Sequence, residues 1–427
     1  MVWLIHSNLK KNDMKKALFS IFSILLLLTS CEQREWSNPF DPDCPKDIWT
    51  PTNFQAVQEG RTVKLSWNEP NPNIGGFKLK KTVGILNPVL KDLPVTSTQL
   101  IDSDPVPGQL QTYEITAYAG GNSSNPATIT ITPLFPSTLS TYNPTSITGT
   151  TMVVGGTIDS DGGATVTSRG ICWALTASPT TDSNKLAIGS GTGPFSATLT
   201  NLSPNTLYYF RAYAINSQGT VYGNEVQATT LVVLPTLSTT AISAILSTTA
   251  TGGGIIISNG GATVIASGIC YATTTGPTIA NTKISGTTAI GSFVSYLTGL
   301  SPGTAYFVKA YATNSLGTGY GSEVTFTTPA VLASLTTTAI SNIGTTIATG
   351  GGNITSNGGA TITVSGICWS TSQNPTTANP KTTNGTSTGA FTSNLTGLTT
   401  KTTYYVKAYA TNSVGTSYAT QVSFTTK

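Results

Sequence analysis

The feature that most constrains the fold of this chain is an internal repeat with a constant period of 98 residues. A tetrapeptide of Gly-Ile-Cys and an aromatic residue occurs three times at that interval, and a phenylalanine and a tyrosine keep the same spacing. Because the interval is constant across whole copies, no insertion separates them, and the copies follow each other as equal structural units. The repeated positions are residues 170–173, 268–271 and 366–369, then Phe195, Phe293 and Phe391, then Tyr222, Tyr320 and Tyr418.

Every copy contains a run of alternating side chains that predicts a β-strand. In the first copy, residues 208–214 direct two aromatic and two alanine side chains to one face and Tyr209, Arg211 and Tyr213 to the other. A period of two in such a run, with turn residues on both sides, is typical of a half-buried strand. The same strand is predicted in the other two copies.

The composition favours the all-β class. Charged residues make up only 9% of the chain, glycine is abundant, and long amphipathic helical patterns are absent, so α and α/β folds fit poorly. At roughly 100 residues per β-sandwich, the chain has room for about four sandwiches. Turns that need positive φ are predicted between apolar runs, as β-hairpin turns, at Asp161-Gly162, Asn259-Gly260 and Asn357-Gly358.

The residues around the repeated strand resemble a known module. Residues 202–208, with Leu202, Pro204 and Tyr208, resemble the start of strand F in fibronectin type III domains, where the tyrosine hydrogen-bonds back to the chain. The last copy departs from this pattern because Thr400 occupies the proline position. We expect that change to loosen the turn without disrupting the fold.

A more divergent module precedes the three copies. Residues 62–70 resemble strand B of a fibronectin type III domain, with Trp67 directed inward, and residues 113–119 supply its strand F. The three copies have Gly156, Gly254 and Gly352 in place of the tryptophan. On the next strand, Trp173 and Trp369 are predicted to fill that volume.

The start of the chain has the features of an export signal. Lys15 and Lys16 precede an apolar run of twelve residues that ends just before Cys31, too short to cross a bilayer that needs about 20 apolar residues. Residues 28–31, Leu-Thr-Ser-Cys, resemble the lipobox of bacterial lipoproteins, and residues 1–13 read as an upstream extension. The resemblance implies a diacylglyceryl group, commonly built on palmitate, at Cys31. A plain secretory signal with an incidental cysteine is the alternative.

Residues 31–50 are predicted to form an extended, solvated tether, because three prolines interrupt a polar segment. The stretch 38–42 resembles the segment that follows the lipid-bearing cysteine in Bacteroidetes-type lipoproteins. The predicted organisation is therefore an upstream extension and signal peptide (1–30), a lipidated tether (31–50), a fibronectin type III-like domain (51–133) and three β-sandwich repeats (134–231, 232–329 and 330–427).

The residue inventory argues against an enzyme. His6, the only histidine, lies before the signal, so the exported chain has no histidine for acid-base catalysis or zinc binding. From Val226 onward Glu323 is the only acidic residue, which leaves no paired carboxylates there. The aligned Glu225 becomes Gln421 in the last copy, so this position is predicted to lie on the surface. No catalytic residue, metal or cofactor is expected apart from the covalent lipid at Cys31.

Single cysteines recur once in each copy, at Cys172, Cys270 and Cys368. One cysteine per module cannot form a disulfide within it, and equivalent positions in successive modules are too far apart to pair, so buried thiols are predicted. Cys44 is left as a candidate for pairing with another chain.

Aromatic side chains on the outward face of the repeated strand are the candidate ligand contacts. Stacking on sugar rings or on a partner protein would use them, and cross-strand packing explains them equally well. The candidates are Tyr209, Tyr213, Phe307, Tyr311, Tyr405 and Tyr409.

The predicted function is a lipid-anchored cell-envelope protein that acts as a surface interaction, adhesion or spacer rod. The alternative is a carbohydrate-binding accessory lipoprotein of a polysaccharide-uptake system. The expected partners are the membrane, through the lipid, and a surface protein or glycan, with the outer membrane and the cell surface as the expected location. Without the signal segment the chain has 17 basic and 16 acidic residues, so nucleic acid is not an expected partner.

Overall fold

The computed structural model describes residues 38–69, 71–86 and 88–427, and their regular secondary structure is almost entirely β-strand. The predicted signal and Cys31 lie outside the described residues. Among the residues described, no helix has the length and apolar character to span a membrane. These residues divide into two compact units. One holds the described residues up to Asn143 with Val154–Ala197 and Tyr209–Val226, and the other holds Pro144–Val153, Thr198–Tyr208 and Gln227–Lys427.

The first sandwich follows a short 3-10 helix, Lys46–Trp49. Its strands are β1 (Thr52–Glu59), β2 (Thr62–Asn68), β3 (Gly76–Val83), β4 (Val89–Pro94), β5 (Gln99–Asp102), β6 (Gln111–Ala119), β7 (Asn122–Ser123) and β8 (Ala127–Ile131). One sheet has the order β1-β2-β5, and the other has the order β4-β3-β6-β7 with β8 also paired to β6. The predicted strands B and F are therefore β2 and β6.

Trp67 lies at the centre of this first core. It is almost fully buried, and its ring meets the ring of Phe77 edge-on at a centroid distance of 5.5 Å. Val63 and Leu65 are buried on the same face of β2, which confirms the inward direction predicted for this strand.

The described part of the predicted tether differs from its prediction. Residues 38–50 form turns and the 3-10 helix, and the side chains of Cys44 and Trp49 are buried in the core of the first sandwich. The side-chain amide of Asn122 also donates to the carbonyl oxygen of Pro39 at 3.2 Å. Prolines prevent regular structure here, but they do not prevent burial of the two apolar side chains, so this segment is part of the first module.

The three copies repeat one arrangement of strands. The second sandwich has β9 (Thr138–Thr141), β10 (Met152–Ser160), β11 (Ser168–Ala174), β12 (Asn184–Ala187), β13 (Gly193–Leu199), β14 (Leu207–Asn216), β15 (Gly219–Tyr222) and β16 (Val226–Thr229). The third has β17 (Thr236–Thr239), β18 (Thr249–Ser258), β19 (Ala266–Ala272), β20 (Thr282–Ser285), β21 (Gly291–Thr298), β22 (Ala305–Thr313), β23 (Thr318–Tyr320) and β24 (Val324–Thr327). The fourth has β25 (Ser334–Thr337), β26 (Ala348–Ser356), β27 (Val364–Ser370), β28 (Gly389–Leu395), β29 (Thr403–Asn412), β30 (Gly415–Tyr418) and β31 (Val422–Thr425).

Sheet order is clearest in the third sandwich. One sheet has the order β17-β18-β21, and the other has the order β20-β19-β22-β23 with β24 also paired to β22. The fourth sandwich keeps the orders β25-β26-β28 and β27-β29-β30, with β31 paired to β29, and isolated bridges stand where the third has β20. The predicted all-β class with several β-sandwiches is confirmed.

A phenylalanine, and not the predicted tryptophan, occupies the space beside the strand-B glycines. A Cβ added to Gly352 would lie 2.6 Å from the Cβ of Ala408 and 2.8 Å from the ring of Phe391. The other two copies have the same neighbours at their glycines, and Trp369 is buried in the same core on β27. The repeated phenylalanine therefore fills the volume, and glycine lets β29 approach β26 closely.

The predicted tyrosine corner is confirmed in all three copies. The backbone N–H of Ser301 donates to the hydroxyl of Tyr306 at 2.9 Å. In the last copy the N–H of Thr399 donates to Tyr404 at the same distance, although Thr400 replaces proline. The replacement leaves this bond intact because the tyrosine hydroxyl bonds to a backbone group that threonine does not alter.

Candidate functional site

Only half of the candidate ligand aromatics reach the surface. Tyr209, Phe307 and Tyr405 are half-buried. The other three are closed off from solvent, because Tyr213 is 2% exposed, Tyr311 is 4% exposed and Tyr409 is 1% exposed. The prediction that these three face outward for a ligand is corrected by their burial.

Each buried tyrosine lies against the glycine of the repeated tetrapeptide. Gly366 on β27 is directly opposite Tyr409 on β29, and the two other copies have the same pairing. A Cβ added to Gly366 would lie 2.0 Å from the carbonyl oxygen of Thr382 and 3.0 Å from the tyrosine ring. The Tyr409 hydroxyl donates to that same carbonyl at 2.6 Å, and burial raises its pKa. The aromatic ring thus covers the bare glycine backbone.

A loop folds back over the same outer face in every copy and is termed here the clasp. It comprises residues 175–183, 273–281 and 371–379, after the strand that carries the tetrapeptide. In the third sandwich the N–H of Gly276 donates to Oε2 of Glu323 at 2.7 Å, and the N–H of Ile279 donates to the hydroxyl of Tyr320 at 3.2 Å. The equivalent bonds join Ser178 to Glu225, Thr181 to Tyr222, Asn374 to Gln421 and Thr377 to Tyr418.

The clasp explains why glutamate and glutamine exchange between the copies. Glu225, Glu323 and Gln421 each present a side-chain oxygen that accepts a hydrogen bond from a clasp N–H. Carboxylate and amide share this acceptor, so the exchange keeps the bond. Glu225 and Glu323 lie on the surface as predicted, and the hydrogen bond to the clasp gives the position a structural role that the sequence did not indicate.

The repeated cysteines lie beneath the clasp. Cys172, Cys270 and Cys368 are each 0% exposed, and the thiol of Cys172 donates to the carbonyl oxygen of the clasp residue Pro179 at 3.4 Å. They follow the inward-facing isoleucine by one residue, so they are on the outer face of the sheet and not between the two sheets. Burial raises the pKa of all three, to about 11 for Cys368, which keeps them as neutral thiols.

The basic residue beside each cysteine is held at the clasp. The guanidinium of Arg211 stacks over the ring of Tyr222 at 4.7 Å. Lys309 is 3.9 Å from Glu323, and the Lys407 ammonium donates to Asn374 at 2.9 Å. Of the candidate aromatics, the outer face therefore offers one half-buried ring per copy, with its basic neighbour already engaged.

No candidate metal site is found among the residues that the structure describes. No group of three or more histidine, cysteine or acidic side chains is placed to hold a metal ion in residues 38–69, 71–86 and 88–427.

In the first sandwich, the ammonium of Lys81 lies 2.6 Å from Asp102, which also accepts from the hydroxyl of Tyr113. Burial of Asp102 opposes ionisation, yet these two donors lower its pKa overall. This network ties β3, β5 and β6 together.

Successive modules meet at a repeated contact that the sequence did not reveal, termed here the joint. In three turns, the second glycine of a Gly-Gly pair contacts the loop that precedes the tyrosine strand of the module before, and the first glycine contacts the linker. The turns are residues 161–163, 259–261 and 357–359, and the loop residues are Pro107 and Gly108, Pro204 and Asn205, and Pro302 and Gly303.

The predicted positive φ of the first glycine in each pair is confirmed. The turns are not hairpins, because the strands on either side of them, such as β18 and β19, belong to different sheets.

The joint is a backbone-to-backbone contact. A Cβ on Gly359 would lie 2.2 Å from the carbonyl oxygen of Pro302, and a Cβ on Gly303 would lie 2.0 Å from the carbonyl oxygen of Gly359. At another joint the side-chain amide of Asn205 donates to the carbonyl oxygen of Gly261 at 2.7 Å. On the turn side of every joint, a Cβ on the second glycine would lie between 2.1 and 2.6 Å from an atom of the loop, so a side chain there would displace the backbone.

A buried asparagine fixes the linker at each joint. The side-chain amide of Asn412 donates to the carbonyl oxygens of Val331 at 2.7 Å and Asn357 at 2.9 Å. The N–H of Val331 in turn donates to the carbonyl oxygen of Gly358 at 2.8 Å. Asn314 and Asn216 make the matching bonds in the two preceding modules. Each linker is thus bonded to the turn that forms the joint.

The paired sheets, tyrosine corners and joints define a tandem set of two-sheet β-sandwiches. No protein-family profile and no curated protein matches the chain. Among solved structures, the chain is similar to a two-domain fibronectin type III segment of chicken tenascin, at 18% identity and a TM-score of 0.28, covering 42% of this chain and 97% of that one. It is also similar to the FN1–FN3 domains of chicken CNTN1, at 13% identity and a TM-score of 0.25, covering 66% of this chain and 98% of that one.

Substitution of Gly359 tests the joint. We expect Gly359→Ala to open the joint between the third and fourth sandwiches, because the added methyl meets the Pro302 carbonyl. Hydrogen exchange of the Val331 amide should accelerate by about tenfold or more, as local opening becomes easier. The matched control is Gly397→Ala in the same module, since Gly397 has a similar φ of +70° but nothing within 4 Å of an added Cβ. Equal exchange of Val331 in both variants would contradict the role of the contact.

Substitution of Glu323 tests the clasp. We expect Glu323→Ala to expose Cys270 to a maleimide reagent about 5- to 10-fold faster than in the wild type, because one hydrogen bond to the loop is lost. Glu323→Gln should label at the wild-type rate, since it reproduces the acceptor found at Gln421. Because burial raises the pKa of Cys270, labelling should continue to rise above the pH range of an exposed thiol. An unchanged labelling rate of Cys270 in Glu323→Ala would show that this hydrogen bond does not hold the clasp over the thiol.

Proposed function

We propose that this protein is a lipid-anchored spacer and interaction protein of the bacterial cell envelope. The observation that carries the proposal is the joint, which recurs with the same turn, the same asparagine and the same linker hydrogen bonds between successive modules. Tandem modules that were free to reorient would need no such matched contacts. A spacer needs them, because they limit how far one module can turn against the next.

The short distance between the proposed lipid site and the first sandwich supports an anchored arrangement. Because residues 38–50 belong to the first module, only the chain from Cys31 to Asn38 is left to connect it to the lipid. Seven residue steps reach at most about 25 Å when fully extended. The first sandwich would therefore stay close to the membrane.

The distribution of aromatic residues favours a spacer over a dedicated sugar site. Tyr209, Phe307 and Tyr405 lie one to a module, and in the third and fourth sandwiches their opposite neighbours are Ala272, Thr325, Ser370 and Ser423. A sugar platform usually needs several convergent aromatic and polar groups in one concave site. One candidate ring per module supports the carbohydrate-binding alternative less strongly than the repeated joint supports a spacer.

Acyl labelling and protease accessibility test the proposed anchor and location together. Cells that produce the full chain with a C-terminal tag should incorporate labelled palmitate, and Cys31→Ala should abolish the incorporation because the acceptor thiol is gone. Cys44→Ala is the matched control and should label normally. We expect protease added to intact cells to remove the tag from the wild type.

Two results would contradict this proposal. Labelling that persists in Cys31→Ala would refute the lipid site. A tag that is protected on intact cells but digested after the outer membrane is opened would place the modules in the periplasm and would refute a surface role.

A further inference from the structure

The third sandwich has an apolar outer face that the other two copies lack. The side chains of Ile255 and Ile257 on β18 are 41% and 63% exposed, and those of Val294 and Tyr296 on β21 are 62% and 72% exposed. They alternate with buried residues along both strands, so all four project from the outer face of the β17-β18-β21 sheet. This set of four residues is termed here the apolar face.

The register of the sheet places these side chains next to each other. Ile255 is opposite Ser292, two residues before Val294, and Tyr296 is opposite Thr251. Neighbouring strands in a sheet are about 4.8 Å apart, and residues two apart on one strand are about 7 Å apart. The four side chains are therefore close enough to form one continuous surface.

The other copies show that the fold does not require this surface. At the same positions, 98 residues before and after, the side chains are polar although the surrounding strands are equivalent. The positions hold Thr157, Asp159, Ser196 and Thr198 in the second sandwich and Asn353, Thr355, Thr392 and Asn394 in the fourth. Large apolar side chains at all four positions in one copy need an explanation outside the folding of that copy.

The chemistry of the face restricts what can bind to it. Strands β17, β18 and β21 contain no charged residue, so a partner that depends on ion pairs finds nothing to pair with. A partner must instead present an uncharged apolar surface of similar outline. The same face on another molecule of this protein meets that requirement, because two such faces related by a two-fold axis are complementary to each other.

We propose that the apolar face binds a second copy of this chain, sheet against sheet. Strands β17, β18 and β21 have four, ten and eight residues, and together they cover on the order of 400 Å² per copy, or about 800 Å² in total. A stable interface buries about 1,200 to 2,000 Å², so the pair is a weak and reversible one. The proposal goes beyond the spacer function and does not depend on the lipid, but copies held on one surface would meet often enough for a weak contact to form.

Cysteine cross-linking of the full-length protein in detergent tests this proposal. Ser292→Cys puts an exposed thiol on the face beside Ile255, whereas Ala390→Cys puts one at the equivalent position of the fourth sandwich. Cys172, Cys270 and Cys368 are buried and should not react. On mild oxidation we expect a disulfide dimer from Ser292→Cys and little from Ala390→Cys, which also controls for copies that merely share a micelle.

Exchange of the four side chains separates the face from the rest of the module. The residues of the fourth sandwich, introduced as Ile255→Asn, Ile257→Thr, Val294→Thr and Tyr296→Asn, suit the same strands and should leave the fold intact. In the Ser292→Cys background they should lower the dimer yield by about tenfold. An undiminished dimer, equal yields from both single cysteines, or a Ser292→Cys adduct with a different protein would each overturn the proposal. Circular dichroism of the exchanged variant checks that it is folded.

Discussion

The arrangement of neighbouring modules depends on a close contact in which the second glycine of each turn has no room for a side chain. Where Gly359 meets Pro302 and Gly303, two segments of main chain come so close that a single Cβ on either side would overlap a carbonyl oxygen. Such an approach brings the Asn-Gly-Gly turn under the preceding module, where Asn412 bonds to both the turn and the linker. The linker, the turn and the loop of the module before are thus held together, so a displacement of one segment disturbs its contacts with the other two.

The three copies act as comparisons of one another. Where they keep a residue, the structure gives it a contact, as with the glycine covered by a tyrosine ring in each tetrapeptide. Where the copies differ in residue type but keep a contact, the two side chains have a common acceptor atom. Glu323 and Gln421, for example, both accept a hydrogen bond from the clasp through a side-chain oxygen. The apolar face of the third sandwich is neither kept in the other copies nor replaced by side chains that make the same contact. This difference is why we attribute it to a partner.

Much of the fold could be predicted from the sequence because alternation and period are direct consequences of β geometry. The all-β class followed from such patterns, whereas the inward direction of Trp67 and the tyrosine corners followed from the resemblance to fibronectin type III domains. Alternation cannot show whether a loop returns to cover a face, so Tyr213 was assigned to the surface and the clasp was missed. The Asn-Gly pairs indicated positive φ, but only the sheet pairing shows that their strands belong to different sheets. The Gly-Gly repetition at residues 260–261 and 358–359 was the available signal for the joint.

The most direct test of the central claim is the distance between two adjacent modules in solution. Spin labels at Thr325→Cys and Ser423→Cys would occupy exposed, equivalent positions in the third and fourth sandwiches, while the cysteines at 172, 270 and 368 stay buried. If the joint holds the modules together, pulsed electron paramagnetic resonance will give one narrow distance distribution, and Gly359→Ala will broaden it. A broad distribution in the wild-type protein would contradict the account, because it would mean that the modules turn freely about their linker.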